Sequence, residues 1–316
     1  HGTDALPDAH APASALESAR EWLVTAQERD GGWAAGQSMD HAVGVSSLGL
    51  LAFMDGNPDV FRGPHAETVR RGIGYLINSQ SDEGLIGPRV SVATYNQGLA
   101  ALAILDACAL ESNAAWQAAA GKALAFICSA QLPSGGWGYL KSASEEPANT
   151  SASIWPLQAI LRADELGFPG LRRPIDRGLA WLQSAVGQDG FMGYARPNDF
   201  PYGQDTMTAA GIVCFLRDSK ATRRPAVRAL LPAVRRIAAR QDAKTDFYRL
   251  FFVARAVGLA PDEQAPRTLD SIAGKLASIQ SGSGPAAGSW EASDQWGKVG
   301  GRVYSTAMAA LTLRRH

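Results

Sequence analysis

Cysteine is nearly missing from this chain, and the three present, Cys108, Cys128 and Cys214, form no pattern. An odd number of thiols inside apolar stretches gives neither a disulfide framework nor metal-ligand spacing, so buried free thiols in a reducing compartment are expected. Histidine is equally thin. His1, His10, His65 and His316 fall in terminal or linker segments and only His41 opens an apolar segment, which removes a histidine metal cluster. Charge of a dominant sign is lacking too: thirty Lys and Arg balance thirty Asp and Glu, so nucleic acid has no electrostatic footprint here. The scattered pairs Arg70-Arg71, Arg172-Arg173, Arg223-Arg224 and Arg235-Arg236 read as solvated faces. No apolar run reaches the length of a membrane span and no signal peptide is visible. A cytoplasmic protein follows as the expectation, with peripheral membrane contact open to it; a start at His1 rather than Met also leaves room for export behind a cleaved leader.

What the chain has is repetition. Gln, three residues, Gly, one residue and Trp recur at Gln27-Gly31-Trp33 and Gln131-Gly135-Trp137, with variants at Gln80-Gly84-Ile86 and at Gln280 through Gly288-Trp290. Self-similarity at roughly fifty residues means a supersecondary unit that buries its face against its neighbours. Each unit starts with an amphipathic segment, such as Gly121 to Gln131 with Leu124, Ile127 and Cys128 on one stripe, and this marks a helix with a wet face. After the turn comes a segment that is apolar nearly all round: Val43 to Met54, Thr94 to Ala107, Ser151 to Ala163, Thr206 to Leu216, Phe247 to Val257 and Val303 to Leu313. The first kind belongs outside and the second inside. In the fifth unit Gln241 survives without a Gly-Gly-Trp turn. The expected fold is all-α: an alpha-alpha (α6/α6) toroid of six helical hairpins, with six inner and six outer helices. Small residues on the inner segments, Gly44, Gly98 and Gly211 among them, allow the close approach an inner ring needs. The expected organisation is a disordered or leader segment over residues 1–14 and a single toroid domain over 15–316.

These Gln and Trp repeats resemble those of the terpenoid cyclase and protein prenyltransferase superfamily, which includes the squalene-hopene cyclases, and the likeness runs from about Ala15 to Leu313. Prenyltransferases of that superfamily bind zinc through an Asp-x-Cys pair at the start of an inner helix and a later His. Here Asp106-Ala107-Cys108 falls at the end of an inner segment with no suitable His, so no metal is expected. Class II cyclases place an acidic motif at that position. Its nearest echo is Tyr202-Gly203-Gln204-Asp205-Thr206-Met207-Thr208-Ala209, which keeps one acid and the Thr. The resemblance therefore implies Asp205 as the proton donor with Gln204 or Tyr202 as hydrogen-bond partner, in place of the usual acid cluster.

Protonating an alkene needs a carboxylic acid held neutral by burial, and aromatic faces to stabilise the cation that forms. Tyr95, Trp155, Tyr202, Phe247, Tyr248, Phe251 and Tyr304 fall on or near the inner segments, where ordinary core packing is the competing explanation. If the inner helices run parallel, their N-terminal ends gather Asp40, His41, Tyr95, Asn96, Asn149, Asp205, Asp246, Arg302 and Tyr304 at one mouth; Asp40, His41, Tyr95, Asn96, Arg302 and Tyr304 of these, with the inner aromatics Trp155 and Tyr248, are the candidate substrate contacts. Helix capping by itself would also place Asp or Asn there. The leading expectation is a single-domain class II terpene cyclase-like enzyme that protonates and cyclises a linear isoprenoid in the central cavity. It needs no cofactor, unless a diphosphate substrate brings a divalent cation such as Mg. The alternative is a non-catalytic toroid that binds a lipid-like ligand or a protein partner. A polysaccharide-processing barrel would want paired carboxylates, for which Asp40 and Asp205 could stand, but the Gln and Trp repeats speak against it.

Overall fold

The computed structural model describes residues 12–139, 147–218, 225–240, 245–260 and 263–314. Twelve α-helices lie within them: α1 (Pro12–Ala26), α2 (Ala42–Met54), α3 (Ala66–Asn78), α4 (Ala93–Leu110), α5 (Ala114–Ser129), α6 (Thr150–Glu165), α7 (Arg172–Ser184), α8 (Gln204–Arg217), α9 (Pro225–Ala238), α10 (Phe247–Leu259), α11 (Ala265–Ser278) and α12 (Gly297–Leu313). The segment expected to be disordered lies outside the described residues up to residue 11, and Pro12 to Ser14 belong to α1. Gln241 and Arg223-Arg224 also lie outside them.

The even-numbered helices form the inner ring. α2 packs on α4, α4 on α6, α6 on α8, α8 on α10, α10 on α12, and α12 returns to α2. Each odd-numbered helix lies over the groove between two inner ones, and α1 bridges α12 and α2 across the point of closure. Every residue of α2 is buried, as a helix apolar all round must be, whereas α3 buries only Thr68, Val69, Gly72, Ile73 and Leu76 along one stripe. The all-helical α6/α6 toroid is the observed architecture. No helix is long and apolar enough to cross a membrane among the described residues.

The repeated Gln is a staple between successive outer helices. Gln27 Nε2 donates to Gly31 O within its own turn and to Thr68 O at the start of α3, both at 2.9 Å. Gln80 does the same with Gly84 and Ala119 of α5, and Gln131 with Gly135 and Pro174 of α7. Gln280 bonds Gly288 and Ala15 of α1, so the last staple joins the two ends of the array. The glycine in each turn is required by conformation and by space. Gly84 has φ +95°, and a Cβ there would lie 2.2 Å from Lys122 O.

The Trp of the turn locks an outer helix to an inner one. Trp137 Nε1 donates to Ile127 O of α5 while its backbone N–H donates to Ser153 Oγ of α6, both at 2.8 Å. Trp33 with Leu23 and Ser46, and Trp290 with Leu276 and Thr306, repeat the arrangement. These Ser and Thr are fully buried, so their hydroxyls answer backbone groups that would otherwise be orphaned.

Candidate functional site

With the inner helices parallel, their N-terminal ends meet at one mouth, and this mouth opens into a cavity of about 140 Å³. Val45 and Leu48 of α2, Tyr95 and Asn96 of α4, Tyr248 of α10 and Tyr304 of α12 line it, together with His41, Val92, Tyr139, Ser151 and Trp296 from the helix starts and the turns before them. The wall is aromatic and carries no carboxylate among the described residues. Tyr95 sits 6.5 Å from Tyr248 and 6.1 Å from Trp155, whose Nε1 donates to Tyr248 Oη at 2.9 Å. Trp155 stacks on Phe251 at 6.0 Å and closes the floor; its other side faces a second cavity at the far end of the ring.

Two polar atoms on this wall, His41 Nδ1 and Asn96 Oδ1, are buried without a hydrogen-bond partner among the described residues, while Tyr304 Oη has Asp294 as its neighbour. Most buried polar atoms in folded proteins are paired, so two unmet ones around a single cavity point to a ligand. The wall is also uncharged near neutral pH. Burial pushes the Tyr95 hydroxyl up to about 12, holds Tyr248 and Tyr304 well above the usual phenol range, and lowers His41 against the smaller opposing effect of Asp40. A neutral aromatic lumen suits an apolar, electron-rich chain and a cation formed from it.

The structure brings His41, Tyr95, Asn96, Tyr248 and Tyr304 together, with Trp155 at the floor. Asp40, Arg302, Tyr202, Gln204 and Asp205 do not line the cavity. Asp40 offers its backbone carbonyl to Asn96 Nδ2 at 2.7 Å and caps no helix. Arg302 turns away to Ser289 Oγ and Glu291. Asp205 lies in the first turn of α8, where Arg240 holds it at 2.9 and 3.0 Å and Arg249 at 3.5 Å. Tyr202 is 97% exposed, because left-handed Phe200 and the short turn Pro201–Gly203 swing the entry to α8 outward. Asn149 and Asp246 do cap α6 and α10, by accepting from Ala152 N and Arg249 N. At the opposite end of the ring, Asp106 is engaged by Arg162 at 2.7 Å, and burial raises the Cys108 thiol to about 11.

Asp294 is a further residue of this mouth, in the turn before α12. It accepts from Phe247 N at 3.0 Å and Trp296 N at 3.1 Å, which places it between the starts of α10 and α12. Burial raises its carboxyl above the ordinary Asp range, and Asp246 nearby adds to the rise against the backbone hydrogen bonds. The same Asp294 helps to raise Tyr304. Its signal in the sequence is its place just ahead of an inner helix, the position also occupied by Asp246.

Among the described residues no three His, Cys, Asp or Glu converge as a metal ion would need.

No family model matches the chain. It is similar to the drimenyl diphosphate synthase of Streptomyces showdoensis, with 28% identity over 230 residues that make up 70% of this chain and 40% of that protein. The chain thus spans less than half the length of that relative. Among solved structures, a type II terpene cyclase from Scytonema in complex with merosterolic acid A superposes with a TM-score of 0.65 at 15% identity, covering 96% of both chains. An alpha-1,6-mannanase from Salegentibacter in complex with alpha-1,6-mannotriose superposes with a TM-score of 0.68 at 10% identity, covering 96% of this chain and 98% of that one. At these identities the structures establish the shared alpha-alpha toroid fold, and the fold is common to terpene cyclases and glycan hydrolases.

Proposed function

We propose that the N-terminal cavity binds a linear isoprenoid and that the protein cyclises it by protonation, as a terpene cyclase-like enzyme. The observation that carries this is the neutral aromatic wall with its two unmet polar atoms, backed by Asp294, a carboxyl beside Tyr304 that burial biases toward the protonated form a proton donor must hold. Asp294 is the acid in this reading and Tyr304 the group that passes its proton inward. The Tyr304 O–H proton goes to a terminal alkene carbon as Asp294 reprotonates Tyr304 Oη, leaving a carboxylate behind Tyr304 and a carbocation against the rings of Tyr95 and Tyr248. Loss of a proton from the cyclised cation restores the charge balance. Similarity to a drimenyl diphosphate synthase supports an isoprenoid over a sugar, and among the described residues the wall carries no carboxylate pair. Met39, Phe200, Tyr202 and Trp296 are exposed beside the starts of α2, α8 and α12, so an apolar substrate would enter at this rim.

A second reading, binding without turnover, is favoured by one observation: the carboxylates nearest the mouth stand behind the wall or, like Asp205, in ion pairs with arginine. Product analysis by gas chromatography and mass spectrometry separates the two. The protein is incubated with linear isoprenoids, free and as diphosphates, beside Asp294→Asn and Asp205→Asn. Cyclic products lost in Asp294→Asn support the proposal; products lost only in Asp205→Asn return the acid to the α8 entry. No turnover together with saturable isoprenoid binding establishes the binding toroid.

A further inference from the structure

The far end of the ring holds a second cavity, of about 510 Å³, to which the C-terminal halves of all six inner helices contribute. Its character is the reverse of the first. Besides Trp155, Phe251 and five leucines it is lined by charged groups: Arg162 bonds Asp106 at 2.7 Å and Glu165 at 3.1 Å, Arg217 bonds Glu165 at 3.0 Å, and Arg255 approaches Asp55 at 3.5 Å. Asp55 is shared with Arg314. Three guanidinium groups and three carboxylates thus line this cavity, and their formal charges balance.

Two donors in this cavity point at nothing. Gln158 is 1% exposed and its Nε2 has no hydrogen-bond partner among the described residues; Arg255 Nε is buried in the same condition. Trp155, Gln158 and Arg162 follow one another at helical spacing, so they share the face of α6 that looks into the ring. Cations near helix C-terminal ends are ordinary, and that accounts for the arginines. It does not account for a buried amide and a guanidinium N–H with no acceptor, each of which costs free energy if left so.

We propose that this end of the ring is a binding site for a small oxyanion, a carboxylate or a phosphate group, which accepts from Arg255 and Gln158. Burial pushes the Arg255 guanidinium down from its usual value, a shift that an anion accepting from it would oppose. The site is separate from the aromatic cavity and stands or falls independently of the cyclase reading.

The test is titration calorimetry at fixed ionic strength, with inorganic phosphate and acetate as separate probes and chloride as the displaced anion. Saturable binding of either probe is expected, and which one binds identifies the group. Gln158→Leu and Arg255→Lys should each weaken it roughly tenfold, the scale of one charge-assisted hydrogen bond. If circular dichroism shows that Gln158→Leu does not fold, Gln158→Glu takes its place; its added negative charge should abolish binding. Saturable binding of neither probe, or binding that persists unchanged in the variants, overturns the proposal.

Discussion

Replacing Gln280 by Met should open the toroid at the point where its ends meet. Gln280 Nε2 donates to Ala15 O and Gly288 O, each at 2.8 Å, and these bonds join the turn after α11 to α1. Met fills a similar volume without either donor. Two part-buried hydrogen bonds are worth about 2 kcal/mol together, and leaving two carbonyls without this donor adds to the loss. Gln280 Oε1 has no partner, so its removal gives some of that back and holds the expected loss to about 2 kcal/mol. Because the entropy of unfolding scales with length, a chain of this size should melt roughly 3 °C lower. The readout that separates this from a general weakening is amide hydrogen exchange. α1 is the first of the described helices, held otherwise by buried Ala15, Ala19 and Leu23 and by single bonds such as Trp22 Nε1 to Pro285 O and Arg20 Nε to Ala52 O, so its amides should lose protection first in Gln280→Met. In Gln131→Met, where the same staple lies mid-array, the loss should be global. A urea-melt difference below about 0.5 kcal/mol, with α1 protection unchanged, would refute the staple and leave packing alone to close the ring.

Further outcomes follow from the same geometry. Gly84→Ala places a Cβ 2.2 Å from Lys122 O at φ +95°, and should cost about 2–4 kcal/mol in urea denaturation through left-handed strain and a displaced carbonyl. Ser153→Ala leaves Trp137 N without its buried acceptor and should lower stability by about 1–3 kcal/mol, measured in the same way. The raised Asp294 carboxyl binds its proton more tightly folded than unfolded. Its contribution to stability is therefore present at low pH and is lost as pH rises from the ordinary Asp value through the raised one. Asp294→Asn should flatten that part of a pH series of denaturation curves, and an unchanged slope would remove Asp294 from the titration.

The toroid was legible because its repeat is carried by residues with fixed tasks. Gln, Gly and Trp each satisfy one backbone demand per turn, and the inner segments declare themselves by being apolar on every face. The fifth unit, where Asp246 starts α10 with no Gly-Gly-Trp turn before it, was still recovered from the apolar segment that follows. The mouth was legible in part. His41, Tyr95, Asn96, Tyr248 and Tyr304 converge because parallel inner helices oblige them to. That reasoning treats the mouth as six equal entries, and α8 breaks the symmetry: no α8 residue lines the cavity, and Asp205 is drawn into pairs with Arg240 and Arg249 from elements distant in sequence. Asp294 escaped notice for a local reason. The apolar pattern starts α12 at Val303, whereas the helix begins at Gly297 and passes a non-helical Gly301, so a glycine-rich first turn reads as loop. The charged cavity at the opposite end left no sequence signal, since Asp55, Arg162, Arg217 and Arg255 come from four helices with no shared motif.

Photo-crosslinking with a benzophenone-bearing linear isoprenoid, followed by peptide mapping, tests most directly the claim that the aromatic N-terminal cavity is the isoprenoid site. Crosslinks on peptides containing Tyr95, Tyr248 and Trp296 to Tyr304, suppressed by excess unlabelled isoprenoid, are the expected result. Labelling confined to the outer helices or to the charged end around Arg255, or labelling that no competitor suppresses, would contradict it.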